Sequence, residues 1–218
     1  MDPKGRVEGE LIFTSDGQQV IWSFNTTMSN LGSNVIFQNI LGPTTTGFST
    51  PAFGSQNSHH GNLVLLPSGD QLATVIYRQD LRGNPIGHDF VVWDFERDHV
   101  LLRIPLSGEL NVLSGSPDGS LLAFTDQKSL KILDTKSLQV IRVIPTSTEL
   151  TSLSGFSPNG QLVAATDANE LVLFSIATGK PVARLATGEI SLGMFTRDGL
   201  WFVSYGWSGA VTTWAIKP

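Results

Sequence analysis

The chain has 218 residues, 40% of them hydrophobic and 15% charged, with a formal net charge of −5. That is enough apolar material for a sizeable core in a single domain spanning 1–218. An acidic balance with no run of Lys or Arg argues against nucleic acid or an anionic membrane surface as partner, because both require a basic patch.

There are no cysteines, which excludes a disulfide scaffold, a cysteine nucleophile and a thiolate metal site. Met1 to Arg6 is polar, with no apolar core of a signal peptide behind it. No apolar run approaches the ~18 residues of a membrane span. The expectation is a cytoplasmic protein.

From the N-terminus onward, five segments share one plan: an apolar stretch, a polar turn with Gly, and a second apolar stretch. They read LIFTSDGQQVIWS from Leu11, LVLLPSGDQLATV from Leu63, VLSGSPDGSLLAF from Val112, LSGFSPNGQLVAA from Leu153 and LGMFTRDGLWFVS from Leu192. Their turn glycines, Gly17, Gly69, Gly119, Gly160 and Gly199, lie 52, 50, 41 and 39 residues apart. The last two intervals match the period of about 40–45 residues of a four-stranded propeller blade. Residues 1–60 read as a degenerate first blade with long Thr-, Ser- and Gly-rich loops around one strand at Val35–Phe37. Residues 61–218 read as regular blades, with DLRGNPIGHD from Asp80 as an insertion in the second.

Within a unit, Asp118-Gly119 or Asn159-Gly160 makes a hairpin turn, since Gly accepts positive φ there. A β-rich run follows, as in Leu121 to Thr125, then a tight turn at Asp126 or Asp167. Leu130 to Leu133 and Val140 to Ile144 supply the third and fourth strands. Gly or Pro interrupts every 8–12 residues, which a helical reading does not allow. Such a sheet cannot bury both faces alone and must stack on neighbours. The expected fold is all-β: a β-propeller of about five four-stranded antiparallel blades.

The residues Ser116-Pro117-Asp118-Gly119, Ser157-Pro158-Asn159-Gly160 and the dipeptide Trp93-Asp94 resemble the WD-repeat β-propellers. Leu133-Asp134, Phe174-Ser175 and Trp214-Ala215 are the equivalent third-strand endings. The resemblance runs from about Asn62 to the C-terminus. It departs from the family in lacking the Gly-His dipeptide before each first strand, for which His59-His60 is a loose stand-in. The buried Asp-His-Ser/Thr-Trp network of that family is therefore not assembled. The last repeat stops at its third strand, Trp214-Ala215-Ile216. Three arrangements stay open: a ring closed by an N-terminal strand at Lys4–Val7, a ring finished by a second chain, or one piece of a larger propeller.

Catalytic signatures are sparse. No phosphate loop or dinucleotide fingerprint occurs, and GFSPNG around Ser157 reads as a hairpin turn rather than a nucleophile elbow. His59, His60, His88 and His99 lack the spacing of a helical zinc site. Trp201 and Trp214 read as packing residues, whereas Trp207 sits in the exposed turn YGWSG.

One chemical pattern does recur. Aligned by first strand, the repeats give Gly9-Glu10-Leu11, Gly61-Asn62-Leu63, Gly108-Glu109-Leu110, Thr148-Glu149-Leu150 and Gly188-Glu189-Ile190. In a propeller the first strand lines the channel, so Glu10, Asn62, Glu109, Glu149 and Glu189 would rim its mouth. Asn111, Thr151 and Ser191 would lie one step deeper, by strand alternation. Crowded carboxylates favour a cation between them: a Lys or Arg side chain, or Ca²⁺. No other cofactor is expected. The WD-repeat resemblance implies peptide docking at this mouth.

The leading expectation is a non-enzymatic scaffold that binds a protein or peptide partner. One alternative is a metal-dependent hydrolase or lactonase holding a divalent cation on the channel axis. Another is a subunit that docks by an open blade edge in a larger assembly.

Overall fold

A computed structural model describes residues 11–13, 18–25, 33–39, 45–49, 59–80, 82, 84–107, 112–166, 170–186, 190–206 and 209–216. For 11, 22–25, 33–39, 45–49, 59–61, 79, 186 and 190–192 this is backbone only. All regular elements among them are strands, and no helix is long and apolar enough to cross a membrane. The chain divides into two compact units, Met1–Leu106 and Ser107–Pro218.

The first unit holds two sheets. One runs β1 (Leu11–Phe13), β2 (Gln19–Asn25), β3 (Ser33–Asn39) and β4 (Thr45–Ser49). The other runs β5 (His59–Leu65), β6 (Gln71–Gln79), β7 (Pro85–Asp94) and β8 (His99–Leu106). The second unit holds three sheets. They are β9 (Leu113–Gly115) to β12 (Gln139–Pro145), through β10 (Leu121–Thr125) and β11 (Ser129–Asp134); then β13 (Ser152–Phe156) to β16 (Pro181–Ala186), through β14 (Leu162–Thr166) and β15 (Glu170–Ser175). The last has three strands among the described residues: β17 (Ile190–Phe195), β18 (Trp201–Gly206) and β19 (Val211–Ala215). Every pairing is antiparallel between chain neighbours, an arrangement consistent with a β-propeller-like fold.

In the second unit a Ser or Thr side chain completes each of the three repeated turns. Ser116 Oγ donates to Asp118 Oδ1 at 2.6 Å and accepts from the Leu121 amide at 2.9 Å. Ser157 does the same with Asn159 at 2.7 Å and the Leu162 amide at 2.9 Å. Thr196 bonds Asp198 and accepts from the Trp201 amide. Gly119, Gly160 and Gly199 sit at φ 71, 67 and 71°, where a Cβ would be strained.

Neighbouring sheets within a unit bury facing surfaces against each other. The face covered by the following sheet is here the front, and the one seated on the preceding sheet is the back. In the first unit, Ile12 and Ile21 form the front of β1–β4 and meet Leu63, Leu72, Ile76, Val91 and Trp93 on the back of β5–β8. In the second, Ala123, Leu130 and Ile132 meet Phe156, Val163 and Phe174. Ala164, Leu171 and Leu173 then meet Phe195, Phe202 and Trp214. Full burial of a Leu, Ile, Val or Phe side chain in these interfaces contributes roughly 1.5–3 kcal/mol.

The Trp93-Asp94 dipeptide divides its work. Trp93 is core and its Nε1 donates to Asp98 Oδ1 at 3.2 Å. Asp94 caps the β7–β8 turn by accepting from the Arg97 amide and guanidinium.

Two local expectations change. The DLRGNPIGHD insertion takes the form of a lengthened hairpin rather than a loop: β6 and β7 have 9 and 10 residues, against 5 and 6 for β14 and β15. Residues 85–89 belong to β7, and before them Asp80 accepts from the Arg82 and Asn84 amides at 2.8 Å. The early region contains two strands, β3 and β4, where the sequence suggested one.

Candidate functional site

In the second unit, strand β13 lies beside both β9 and β17. The first strands of three sheets thus run as neighbours, and β9 begins at the end of its sheet where Leu113 pairs with Phe124. That end also carries the β10–β11 turn. There Asp126 accepts from the Ser107 amide at 2.8 Å and pairs with Lys131 Nζ at 2.6 Å.

The entry to β13 is described most fully. Thr146 Oγ1 donates to the Thr148 carbonyl at 2.7 Å, tightening the bend after β12. Leu150 is buried in the core between the β9–β12 and β13–β16 sheets. Glu149 is half-buried beside it, and Thr151 is exposed. The Thr151 amide donates to the Thr166 carbonyl at 2.7 Å, and its hydroxyl does so at 3.1 Å. The entry to β9 is tied at the matching place, with the Val112 amide donating to Thr125 Oγ1 at 3.0 Å.

At β13 the Glu-Leu pair therefore has a structural half, Leu150. Leu150 fixes the entry by packing; Glu149 precedes that anchor and is half-buried. Leu11, Leu63, Leu110 and Ile190 fill the same place in the alignment, so aliphatic recurrence was the available signal.

Three hydroxyls next to this entry have no partner among the described residues: Ser152 Oγ, Ser154 Oγ and Thr166 Oγ1, all on buried atoms. Ser152 and Ser154 belong to the inner strand, and each hydroxyl both donates and accepts. Such groups suit bridging water or a ligand's amide groups rather than bond-breaking chemistry.

The other expected site residues are distributed as follows. Asn62 is exposed and lies in β5, at a register shift between His60 and Leu63. Ser191 lies in β17 at a similar shift between Ile190 and Leu192. Glu10, Glu109, Asn111, Glu189 and Trp207 lie outside the described residues. Among those described, no group of three or more His, Asp and Glu side chains is placed to hold a metal ion.

The carboxyls with displaced proton affinity are elsewhere, in the turns. Hydrogen bonds from Ser116 and Ser120 hold Asp118 below the usual range, and the Thr196 hydroxyl does so for Asp198. Ser137 acts likewise on Asp134. Burial pushes Asp94 up, but the Arg97 amide and guanidinium outweigh it and the net direction is down. These acids are ionised fasteners for strand connections, with their lone pairs already committed.

No protein-family model matches the chain. No curated protein matches it either. In structure, 982 solved chains resemble it, so the architecture is widely shared and carries no activity with it. One of them is a chain of Kuenenia stuttgartiensis hydrazine synthase, with a TM-score of 0.62 at 18% identity. The match covers 90% of this chain and 54% of that one, so this chain spans about half its length. At that identity the likeness is one of fold alone.

Proposed function

We infer that the chain is a WD-repeat-like β-propeller scaffold, without catalytic activity, that binds a protein or peptide segment at the end where β9, β13 and β17 begin. The observation that supports this reading is the side-by-side placement of those first strands. With the first strands so placed, the recurring Glu109, Glu149 and Glu189 would share one destination. A Lys or Arg side chain seated among three carboxylates would gain charge-assisted hydrogen bonds. The unpartnered hydroxyls of Ser152 and Ser154 would then serve the peptide backbone beside it.

The test uses a peptide array with a central Arg or Lys and the purified full chain. The double variant Glu109→Gln/Glu149→Gln should lose capture of the peptides that the natural chain retains. Its melting temperature should be unchanged, since neither change removes a buried apolar group. Capture that survives both substitutions would place binding elsewhere.

A further inference from the structure

The lengthened hairpin of the β5–β8 sheet carries charge that its sisters lack. The turns equate Gln71 with Leu121 and Leu162, whose carbonyls accept from the Leu66, Ser116 and Ser157 amides. Counted from there, Val75 stands level with Thr125 and Thr166, which end β10 and β14. Strand β6 runs on to Gln79 and so reaches Arg78. Asp89 and Arg103 do have sisters. Phe90 and Leu171 are equivalent, so Asp89 matches Glu170; Arg103 and Arg184 pair with the equivalent Val91 and Val172.

The sister pair is one to one and open to solvent. Arg184 Nη1 meets Glu170 Oε2 at 3.1 Å, with the side chains 46% and 37% exposed. In β5–β8 the extension adds a second guanidinium to the same carboxylate. Arg103 Nη1 donates to Asp89 Oδ2 at 3.0 Å, and Arg78 Nε lies 3.0 Å from that oxygen. The Asp89 side chain is 3% exposed, whereas Arg78 and Arg103 are 35% and 37%. Ile76, Arg78, Asp89, Val91 and Arg103 lie on one face by register and alternation, and Ile76 and Val91 are core residues there. Gly87 leaves the space that the Arg78 guanidinium takes, since a Cβ there would lie 2.7 Å from Nη2. Despite its distance from Asp89, Arg78 Nε makes no hydrogen bond among the described residues, and the atom is buried. The next acid along the chain, Asp80, is committed to its turn, accepting from the Arg82 and Asn84 amides and from Asn84 Nδ2 at 2.8 Å.

An ion pair that served the sheet alone would be complete with one arginine, as Glu170 and Arg184 are. Here two cations less one anion leave a single positive charge among these three side chains. Beside core residues its attraction for an anion is stronger than in water. Guanidinium forks recognise carboxylates through paired N–H groups. A single excess charge matches a carboxylate better than a phosphate monoester, which carries about −1.5 to −2 at pH 7. We propose that Arg78 and Arg103 bind the carboxylate of an acidic ligand, with Asp89 holding both guanidiniums in place. A small free acid and an Asp or Glu side chain of a peptide present that same group. The site lies wholly in the first unit and is independent of the binding end proposed for the second.

Heteronuclear NMR of the full chain tests this through the arginine Nε–H resonances, with Arg78 assigned by its loss in Arg78→Gln. At constant ionic strength, replacing chloride by acetate should move the Arg78 resonance along a saturating curve. Acetamide, neutral and of similar shape, should not move it. The peptide acetyl-Gly-Asp-Gly-amide is the second arm, with acetyl-Gly-Asn-Gly-amide as its control. Tighter binding of the Asp peptide than of acetate assigns the site to an acidic side chain, and equal binding assigns it to a small free acid. Arg78→Gln should stay folded, because Asp89 then keeps the one-to-one pairing of its sister. Followed on the Arg103 resonance, it should weaken binding about tenfold or more, the loss of one charge-assisted contact. Arg78→Lys, which keeps the charge and loses the fork, should also weaken binding and serves if Arg78→Gln unfolds. No saturating shift with either carboxylate overturns the proposal. So does an equal response to acetate and acetamide, or a folded Arg78 variant that binds as tightly as the natural chain.

Discussion

The β13–β16 and β17–β19 sheets have the same hairpin, the same strand order and the same register, yet Leu171 is sealed and Val211 is open. The strands themselves do not account for this, since both residues are β-branched or branched aliphatics at equivalent places. The difference lies in what stands outside. In a stack of sheets, a residue's burial is decided by the next layer, and the last layer has none among the described residues. Stability in this protein should therefore vary steeply between positions that look identical along the chain.

The largest expected effect follows directly. Leu171→Ala should cost about 2–5 kcal/mol, the usual cost of a core cavity. Val211→Ala should stay within roughly 0.5 kcal/mol, as exposed substitutions do. Urea unfolding with an unchanged slope measures both. The comparison holds at concentrations where the chain is single. Equal costs there would mean that Val211 is covered in solution.

A smaller effect separates two hairpins. The turns at Asp118 and Asn159 make the same bonds from Ser116 and Ser157, but only Asp118 titrates. Its carboxyl binds a proton less readily folded than unfolded. Its contribution is therefore complete above the ordinary value of 3.8 and is lost as pH falls through the lower folded value. Asp118→Asn copies the sister turn and should leave neutral-pH stability unchanged while flattening the acid limb of the unfolding curve. Asp198 and Asp134 keep their share of that limb. An acid limb identical to that of the natural chain would show that Asp118 is not held as described.

Much of this was legible in the sequence. The S-P-D-G-type turns and the period-2 runs marked the hairpins, because turn chemistry and strand alternation are local. The third strand of the last repeat, ending at Trp214-Ala215, was also visible. β4 was not, since Thr45–Ser49 has Thr and Gly but no apolar alternation to signal it. The front of the last sheet was hidden for a different reason: covering is a property of the neighbour. At the entry to β13 the recurring Glu was the conspicuous residue, whereas Leu150 does the anchoring.

The central claim is that the entries to β9, β13 and β17 converge and bring Glu109, Glu149 and Glu189 to one end. The chain contains no cysteine, so paired cysteines report on this without background. Cross-linking with a short bis-maleimide should join Glu149→Cys to Glu109→Cys, and Glu149→Cys to Glu189→Cys, in high yield. Glu149→Cys paired with Thr178→Cys, in the β15–β16 turn, should stay unlinked. Failure of both acidic pairs, or equal yield for the Thr178 pair, would contradict the convergence and with it the proposed binding end.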